Sequence, residues 1–478
     1  RDSKRLPPKE NLIEWYNAVI SLAEIADRRY PVTGTFIWMP YGLRIMKNLV
    51  RIWDKKFQEN GIKEVYFPLF VPIEFAQKNK EWFDGFQKNL YYVAPFLSEE
   101  MDKRILLRPT GEPAMYPIFQ FWIRDYGLPI KIYQTVSSFR YEGKTTHTMI
   151  RDREITFWYE IHTVHKTREE AEEEVKKHIE INEYIWKEIL CIPPIKVEKP
   201  KYEIFPGAES AIEFYTILPN GRLLENGSVN NLGQAYAKKF DLYYVDEKGE
   251  KKYCWQVCTG NGARYLVATF TLHGDERGLI IPPKLAPIQV VIIPVIEKGY
   301  EEKIKKESKS LEEFLTKNNI KAHVDLEEDI TPGEKFHIWD IKGVPVRIEV
   351  GVKEINENYY TIFRRDEKIR ERVEKSRILE RVTNLLNEEI PKNLYKKGFD
   401  FYKKKVKYFD DFEKALDWIE KGNVAKVNWC EEEKCYNQIS SMREAVEPIG
   451  TLIGEEKEGS CIACGKKTRK LTLIGKVY

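Results

Sequence analysis

Phe139-Arg140-Tyr141-Glu142, then Arg151-Asp152-Arg153-Glu154, then His273-Gly274-Asp275-Glu276-Arg277-Gly278-Leu279-Ile280-Ile281-Pro282-Pro283 form the ordered run on which the reading of this 478-residue chain turns. The first two groups border short β-rich runs, Ile130–Val136 and Ile155–His162. Neither GxxxxGK[ST] nor a GxGxxG after a strand occurs, and Gly260-Asn261-Gly262 is too short to cradle phosphate. ATP chemistry would therefore need another device, and fixed guanidinium forks are one. Activating a carboxylate with ATP gathers negative charge on the α-phosphate and on the leaving β,γ-phosphates. Planar guanidinium groups match those oxygens without any proton transfer. An arginine beside a glutamate is, taken alone, usually a surface ion pair; the ordered combination carries the reading.

Outward from that run, the chain divides into units. A helix is expected over about Asn11–Asp27. A longer one runs from Tyr41 to about Asn60, with Leu43, Met46, Val50, Trp53 and Phe57 on one face. Gly61 ends it, and the strand Glu64–Phe67 then meets Pro68. Lys166–Leu190 reads as a charged helix with Glu/Lys pairs four residues apart. After Pro283 the rhythm becomes strand–helix–strand over Ile288–Val295, Tyr300–Asn318, Lys321–Asp325 and Val344–Val350, which suggests an α/β unit with a partly parallel sheet. Another charged helix is expected over Asp366–Asn387.

Bulk properties bound the rest. With 78 Lys+Arg against 75 Asp+Glu, the net charge of +3 neither demands nor forbids a polyanionic partner, since basic surface can be confined to one face. No apolar stretch reaches the ~18 residues of a membrane span, and Arg1–Glu10 is polar, so a cytoplasmic protein is expected. Four of the seven cysteines cluster as Cys430-x4-Cys435 and Cys461-x2-Cys464, two thiolate pairs that suit tetrahedral Zn²⁺ with no open position, hence a structural site. Cys191, Cys254 and Cys258 read as ordinary buried residues.

Leu43–Pro68, Phe139–Glu154 and His273–Pro283 resemble, in order, the three motifs of the class II aminoacyl-tRNA synthetases. Leu107-Arg108-Pro109-Thr110-Gly111-Glu112, Glu160-Ile161-His162-Thr163 and Leu285-Ala286-Pro287-Ile288-Gln289-Val290 narrow the resemblance to the prolyl-tRNA synthetases of archaeal and eukaryotic type, over nearly the whole chain. The resemblance implies an α+β class II synthetase catalytic domain over 1–283, an antiparallel sheet flanked by helices. An α/β anticodon-binding domain over 284–387 and a small zinc-binding C-terminal α+β domain over 388–478 would follow. It implies proline–tRNA ligation with ATP and Mg²⁺, on L-proline and tRNA(Pro).

The same resemblance distributes roles. Arg140 would hold the α-phosphate and the proline carboxylate, and Glu142 the adenine or Arg140 itself. Arg151 and Arg277 would grip the terminal phosphates. Thr110 and Glu112 would receive the proline ammonium; Trp158, Glu160, His162 and Phe205 would wall the ring pocket. Arg347, Glu349 and Lys353, on and after one strand, would read anticodon bases. A tail ending in Tyr478 would pack back on the catalytic domain. Gly111, Asn230 and Cys258-Thr259-Gly260 depart from the family pattern. The 95 residues from Thr163 to Cys258 leave no room for a hydrolytic editing domain in cis. A homodimer is expected through the Leu43–Pro68 region, whose helix and strand would otherwise expose an apolar face. Two rival readings stand beside this one: a sibling class II synthetase, and a synthetase-like tRNA-binding protein without catalysis.

Overall fold

The computed structural model describes residues 5–96 and 104–478. Its frame is an eleven-stranded sheet. In spatial order the strands are 406–408, 424–428, 467–476, 446–460, 195–198, 210–217, 223–233, 255–261, 154–165, 130–139 and 63–64. Pairing is antiparallel except at the two ends, where 406–408 runs parallel to 424–428 and 63–64 parallel to 130–139. The catalytic and C-terminal units share this sheet, joined at Thr451↔Glu198 and Leu452↔Val197. A helical run over 378–405 passes through residue 387, where the sequence reading divides the chain.

Side chains alternate across the strand Glu154–His165, so its two faces do different work. Tyr159 and Ile161 face the core built with the helix Pro40–Glu59. That helix has Pro40 at its first turn, where a missing N–H costs nothing. It buries Tyr41, Ile45, Met46, Leu49, Trp53 and Phe57, and Trp53 meets the Tyr159 ring edge-on at 4.8 Å. The apolar face of this helix is thus satisfied within the chain, which removes the reason given above for dimerisation through it. Exposed apolar residues sit nearby instead, at Tyr66, Phe70 and Tyr92.

The α/β unit has a five-stranded sheet in the order 322–324, 290–294, 346–350, 359–364 and 369–374. The first three strands are parallel and the last two antiparallel. Ile369–Glu374 is an edge strand, so the helix expected over 366–387 is corrected: a 3-10 turn at Lys375–Arg377 leads into helix from Ile378 onward. The charges that imitate a helix lie on a strand with one solvated edge, where they cost nothing. The unit is docked on the catalytic one by backbone bonds from Leu279 N to Ile341 O and Ile281 N to Gly343 O, each 2.9 Å. Gly343 is obligatory there. Its φ is +71°, and a Cβ would lie 2.3 Å from Leu279 O.

Candidate functional site

Strand register assembles the site. Gln134, Glu160, Gly260 and Ser228 stand opposite one another across four strands, and Ile132, His162, Cys258 and Asn230 form the next row. Paired residues share a face, so this is the floor opposite the Pro40–Glu59 helix. Gly260 is required beneath Trp158, because a Cβ would lie 2.4 Å from the indole.

Above the floor, the loop Thr110–Gly111 feeds the helix Glu112–Tyr126. Glu160 is buried and fastened: Gly111 N–H donates to Oε1 at 2.7 Å and Gln134 Nε2 to Oε2 at 3.0 Å. His162 Nε2 stands 3.5 Å from Oε1. Burial raises the Glu160 pKa, but His162 and these N–H donors outweigh it and hold the carboxylate below its ordinary range. A Cβ at Gly111 would come within 2.5 Å of Glu160 Oε2, which gives the departure at 111 a physical reason. Glu112 goes the other way. Burial pushes its carboxyl up, with the Glu160 charge adding to the shift against the pull of His162 and Arg140.

Three polar atoms here are buried without a hydrogen-bond partner: Thr110 Oγ1, Glu112 Oε2 and His162 Nε2. The other nitrogen of His162 is 3.0 Å from the Tyr116 hydroxyl. Orphaned buried polar groups cost about 1–3 kcal/mol each, so three together mark a place where a ligand belongs. Glu112, Glu160 and His162 also lie close enough to share a metal ion. Glu160 already spends both oxygens on N–H donors, however, and the two groups left are fewer than a protein metal site uses. A small organic cation fits better.

Arg140 leads from this corner into a cavity of about 220 Å³, lined also by Glu142, Arg151, Asp152, Trp158, Glu225 and Arg264. Its Nε donates to Pro109 O at 3.1 Å, and its guanidinium lies 5.4 Å from the Phe86 ring. Burial lowers the Arg140 pKa, opposed by Glu112, Glu160 and Glu142. Asp152 accepts from Met149 N at 2.8 Å, and burial pushes its carboxyl up to about 7.

Arg264 was missed in the sequence. It opens the helix Arg264–His273 directly after the strand Trp255–Asn261, and Gly262 makes the turn between them. Its Nε and Nη2 donate to Ile150 O at 3.0 and 2.7 Å, and Nη1 to Glu225 O at 2.9 Å. The strand–glycine turn–helix signal was present in Gly260–Arg264 and was set aside as too short.

The structure corrects Arg277. Its turn is pinned by Asp275, which takes both Nη groups of Arg365 and carries its backbone oxygen to Trp15 Nε1. Arg277 therefore points at the docked α/β unit, 3.5 Å from Asp340, and does not line the cavity. Phe205 stacks on Tyr236 at 4.3 Å, and Tyr236 in turn packs edge-on to Tyr116, one ring behind His162. Cys258, read as an ordinary core residue, stands beside His162 and Asn230; burial, then Glu112 and Glu160, push its thiol well above the usual range.

Farther out, Arg347 and Glu349 are buried in an ion-paired chain. Arg347 Nη1 meets Asp340 at 2.8 Å, and Glu349 meets Arg370 at 3.0 Å. Exposed cations on that strand pair and just after it include Lys353, Arg370 and Arg372. Tyr478 packs on the catalytic unit: Asn220 Nδ2 donates to its hydroxyl at 3.1 Å, Arg222 lies 4.9 Å from its ring, and His147 meets it edge-on. The sulfurs of Cys430, Cys435, Cys461 and Cys464 all lie within 4.8 Å of one another, with Cys430 at 3.5 Å from Cys435 and 3.8 Å from Cys464. Four sulfurs at ~2.3 Å from Zn²⁺ would stand about 3.8 Å apart, so the set fits that ion. The Lys466 backbone N–H holds the Cys464 thiol down to about 7.

Three family models match the chain: tRNA synthetase class II core domain (G, H, P, S and T) over residues 91–272, anticodon binding domain over 289–385, and prolyl-tRNA synthetase, C-terminal, over 410–478. Among curated relatives, the chain is 39% identical to the proline–tRNA ligase of Methanopyrus kandleri, over 97% of this chain and 96% of that protein. It is 38% identical to that of Thermococcus kodakarensis, over 98% of each. It is 36% identical to that of Methanosarcina mazei, over 99% and 98%.

Proposed function

This chain belongs to the proline–tRNA ligase family, and from that premise we propose that the cavity around Arg140 joins L-proline to ATP and passes the product to tRNA(Pro). The observation that carries the reading is the trio of orphaned atoms, Thr110 Oγ1, Glu112 Oε2 and His162 Nε2, under a guanidinium. Thr110 and Glu112 receive the secondary ammonium of proline; Arg140 holds its carboxylate against the α-phosphate. A carboxylate oxygen attacks the α-phosphorus, the bond to the β-phosphate breaks, and pyrophosphate leaves. Arg140, Arg151 and Arg264 stabilise the charge that develops, and backbone carbonyls already hold Arg140 and Arg264 in place. The Glu142 and Glu225 carboxylates in the cavity are hard oxygen donors that would hold Mg²⁺, which would supply positive charge against that of the phosphates. The terminal hydroxyl of the tRNA then attacks the activated carbonyl and AMP departs. Positioning does most of that work, since the acyl group is already activated. Trp158, Glu160, His162 and Cys258 bound the ring. Action on tRNA fits the cytoplasmic location expected from the sequence.

Amino-acid-dependent pyrophosphate exchange with a panel of amino acids tests the whole. Exchange with proline alone is expected; exchange with none would favour an RNA-binding protein without catalysis.

The raised Glu112 carboxyl gives a pH signature. Below that raised pKa the empty site keeps the carboxyl protonated, and the proton must leave before an ammonium is received, so proline affinity should rise as pH rises through the shifted pKa. Calorimetry in buffers of different ionisation enthalpy should register proton release on proline binding. Glu112→Gln should abolish the release and raise KM for proline by about 10- to 100-fold, the loss of one charge-assisted hydrogen bond. Proline binding with no proton exchanged would dispose of this role.

The segment from Val164 to Cys254 is built into a helix, sheet strands and a short hairpin, which supports the reading that no editing site acts in cis. Alanyl-tRNA(Pro) should survive incubation with the enzyme, and rapid enzyme-dependent deacylation would contradict this. Self-association through the segment that exposes Tyr66 and Phe70 is the form of homodimer these surfaces favour.

A further inference from the structure

A second concave region lies on the seam between the catalytic and α/β units, away from the cavity of Arg140. It is a groove of about 660 Å³ between the helix Pro40–Glu59 and the edge strand Ala322–Val324. Arg44, Lys47 and Arg51 line one wall; Lys321, His323 and Lys342 line the other. Among the described residues Arg44, Lys47, Arg51 and Lys321 form no ion pair with any carboxylate. Glu24 is the acidic residue of the groove, and Lys342 takes it at 3.0 Å. Farther along the same helix, outside the groove, Lys55 and Lys56 do pair, with Glu59. With a net charge of only +3, an unpaired basic groove is a local concentration. Burial lowers the Lys321 pKa, and Arg51 and Arg44 lower it further, so these cations repel one another as the groove stands.

The walls do not slide. Tyr41 donates to Lys342 O at 2.9 Å and Asn48 Nδ2 to Leu285 O at 3.0 Å, which fixes helix, linker and α/β unit together. Arg44, Lys47 and Arg51 fall on one helix face and span about 10 Å at ~1.5 Å per residue, longer than a single phosphate. Two aromatic rings of the groove, Tyr41 and Trp339, are buried and carry Lys342 at 5.2 and 5.1 Å. Of the groove's aromatic rings the imidazole of His323 alone is exposed, itself one of six cationic or basic side chains there. The chemistry fits an extended polyanion held by its backbone, without base readout.

We propose that this groove is a track for the phosphate backbone of an RNA strand, crossed by a tRNA that engages both units; this rests on reading the chain as a tRNA ligase. Neutralising the three helix cations leaves the adenylation cavity untouched. In the full chain, Arg44→Gln/Lys47→Gln/Arg51→Gln should keep proline-dependent pyrophosphate exchange within about twofold. By filter binding its affinity for tRNA should fall at least tenfold, and the slope of log affinity against log salt should flatten by about 2, near 0.7–0.9 for each phosphate released. Arg44→Lys/Arg51→Lys, which keeps the charge, should bind as the parent does. Parent-like affinity and slope in the glutamine variant would overturn the proposal, and so would a change in sedimentation with tRNA binding intact, which would make the groove a subunit contact. Equal loss in the glutamine and lysine variants would overturn it too, since charge would then not be the cause. Should the parent show no proline-dependent exchange, the functional reading fails, while the filter-binding arms still decide the groove.

Discussion

Arg264→Ala is expected to lower proline-dependent pyrophosphate exchange by about 100- to 1000-fold, the range for removing one preorganised group from a developing charge, while Arg277→Ala should cost less than about threefold. The pair separates two residues that a linear reading confuses. Arg264 faces the cavity and ties the loop at Ile150 to the strand at Glu225. Its loss therefore removes a cation and loosens the loop that carries Arg151. Arg277 is committed to Asp340 across the seam, and half of its side chain is exposed. Lysine at 264 should recover little, because an ammonium cannot bridge Ile150 O and Glu225 O together. Proline-dependent pyrophosphate exchange rates measured for both alanine variants would check this. A strong loss at 277 with a mild one at 264 would mean that the strand–turn–helix at 255–264 does not deliver the phosphate-facing arginine.

Removing the metal from the four-cysteine site should be felt well outside it. Cys461→Ser, or a chelator, is expected to lower the melting temperature by about 10 °C, since a structural zinc site supplies several kcal/mol of folding free energy and each kcal/mol moves a chain of this size by a few degrees. The route is visible. Cys461 is buried between Trp429 and Cys435, its backbone closes the turn to Lys466, and the two strands it joins lead straight into the sheet at Glu198. Metal analysis should find one zinc per parent chain and none in the variant. A chain without metal that melts with the parent would show the cluster to be four thiols with no role in stability.

Much of this was readable in the chain. The loop at Thr110–Glu112 and the strand at Glu160–His162 are 50 residues apart, yet both follow recognisable local patterns, and the Gly111 N–H bond to the Glu160 carboxylate joins them. What escaped reading is three-dimensional. The strand–glycine turn–helix at 255–264 is a local sign for Arg264, but nothing local tells that docking of the α/β unit turns Arg277 away. Arg347 looks like an exposed strand cation, and its burial between Phe336 and Phe363 depends on elements far off in sequence. The run 366–377 imitates a helix because a solvated edge strand accepts charges at every position, which erases the period-two signal.

The eleven-stranded sheet has a further implication for the life of the chain in a crowded solution. A sheet this wide ends in only two open rims, each a row of unpaired backbone groups on which a foreign strand could grow. Here both rims are stubs. One is Lys63–Glu64 and the other Val406–Tyr408 with Lys407 at its centre, two and three residues long and each carrying a lysine. Were the C-terminal unit cut away, the rim would retreat to Ile195–Glu198, backed by the buried Val197, and a shielded edge would become an adhesive one. The tail thus also serves as a guard against aggregation.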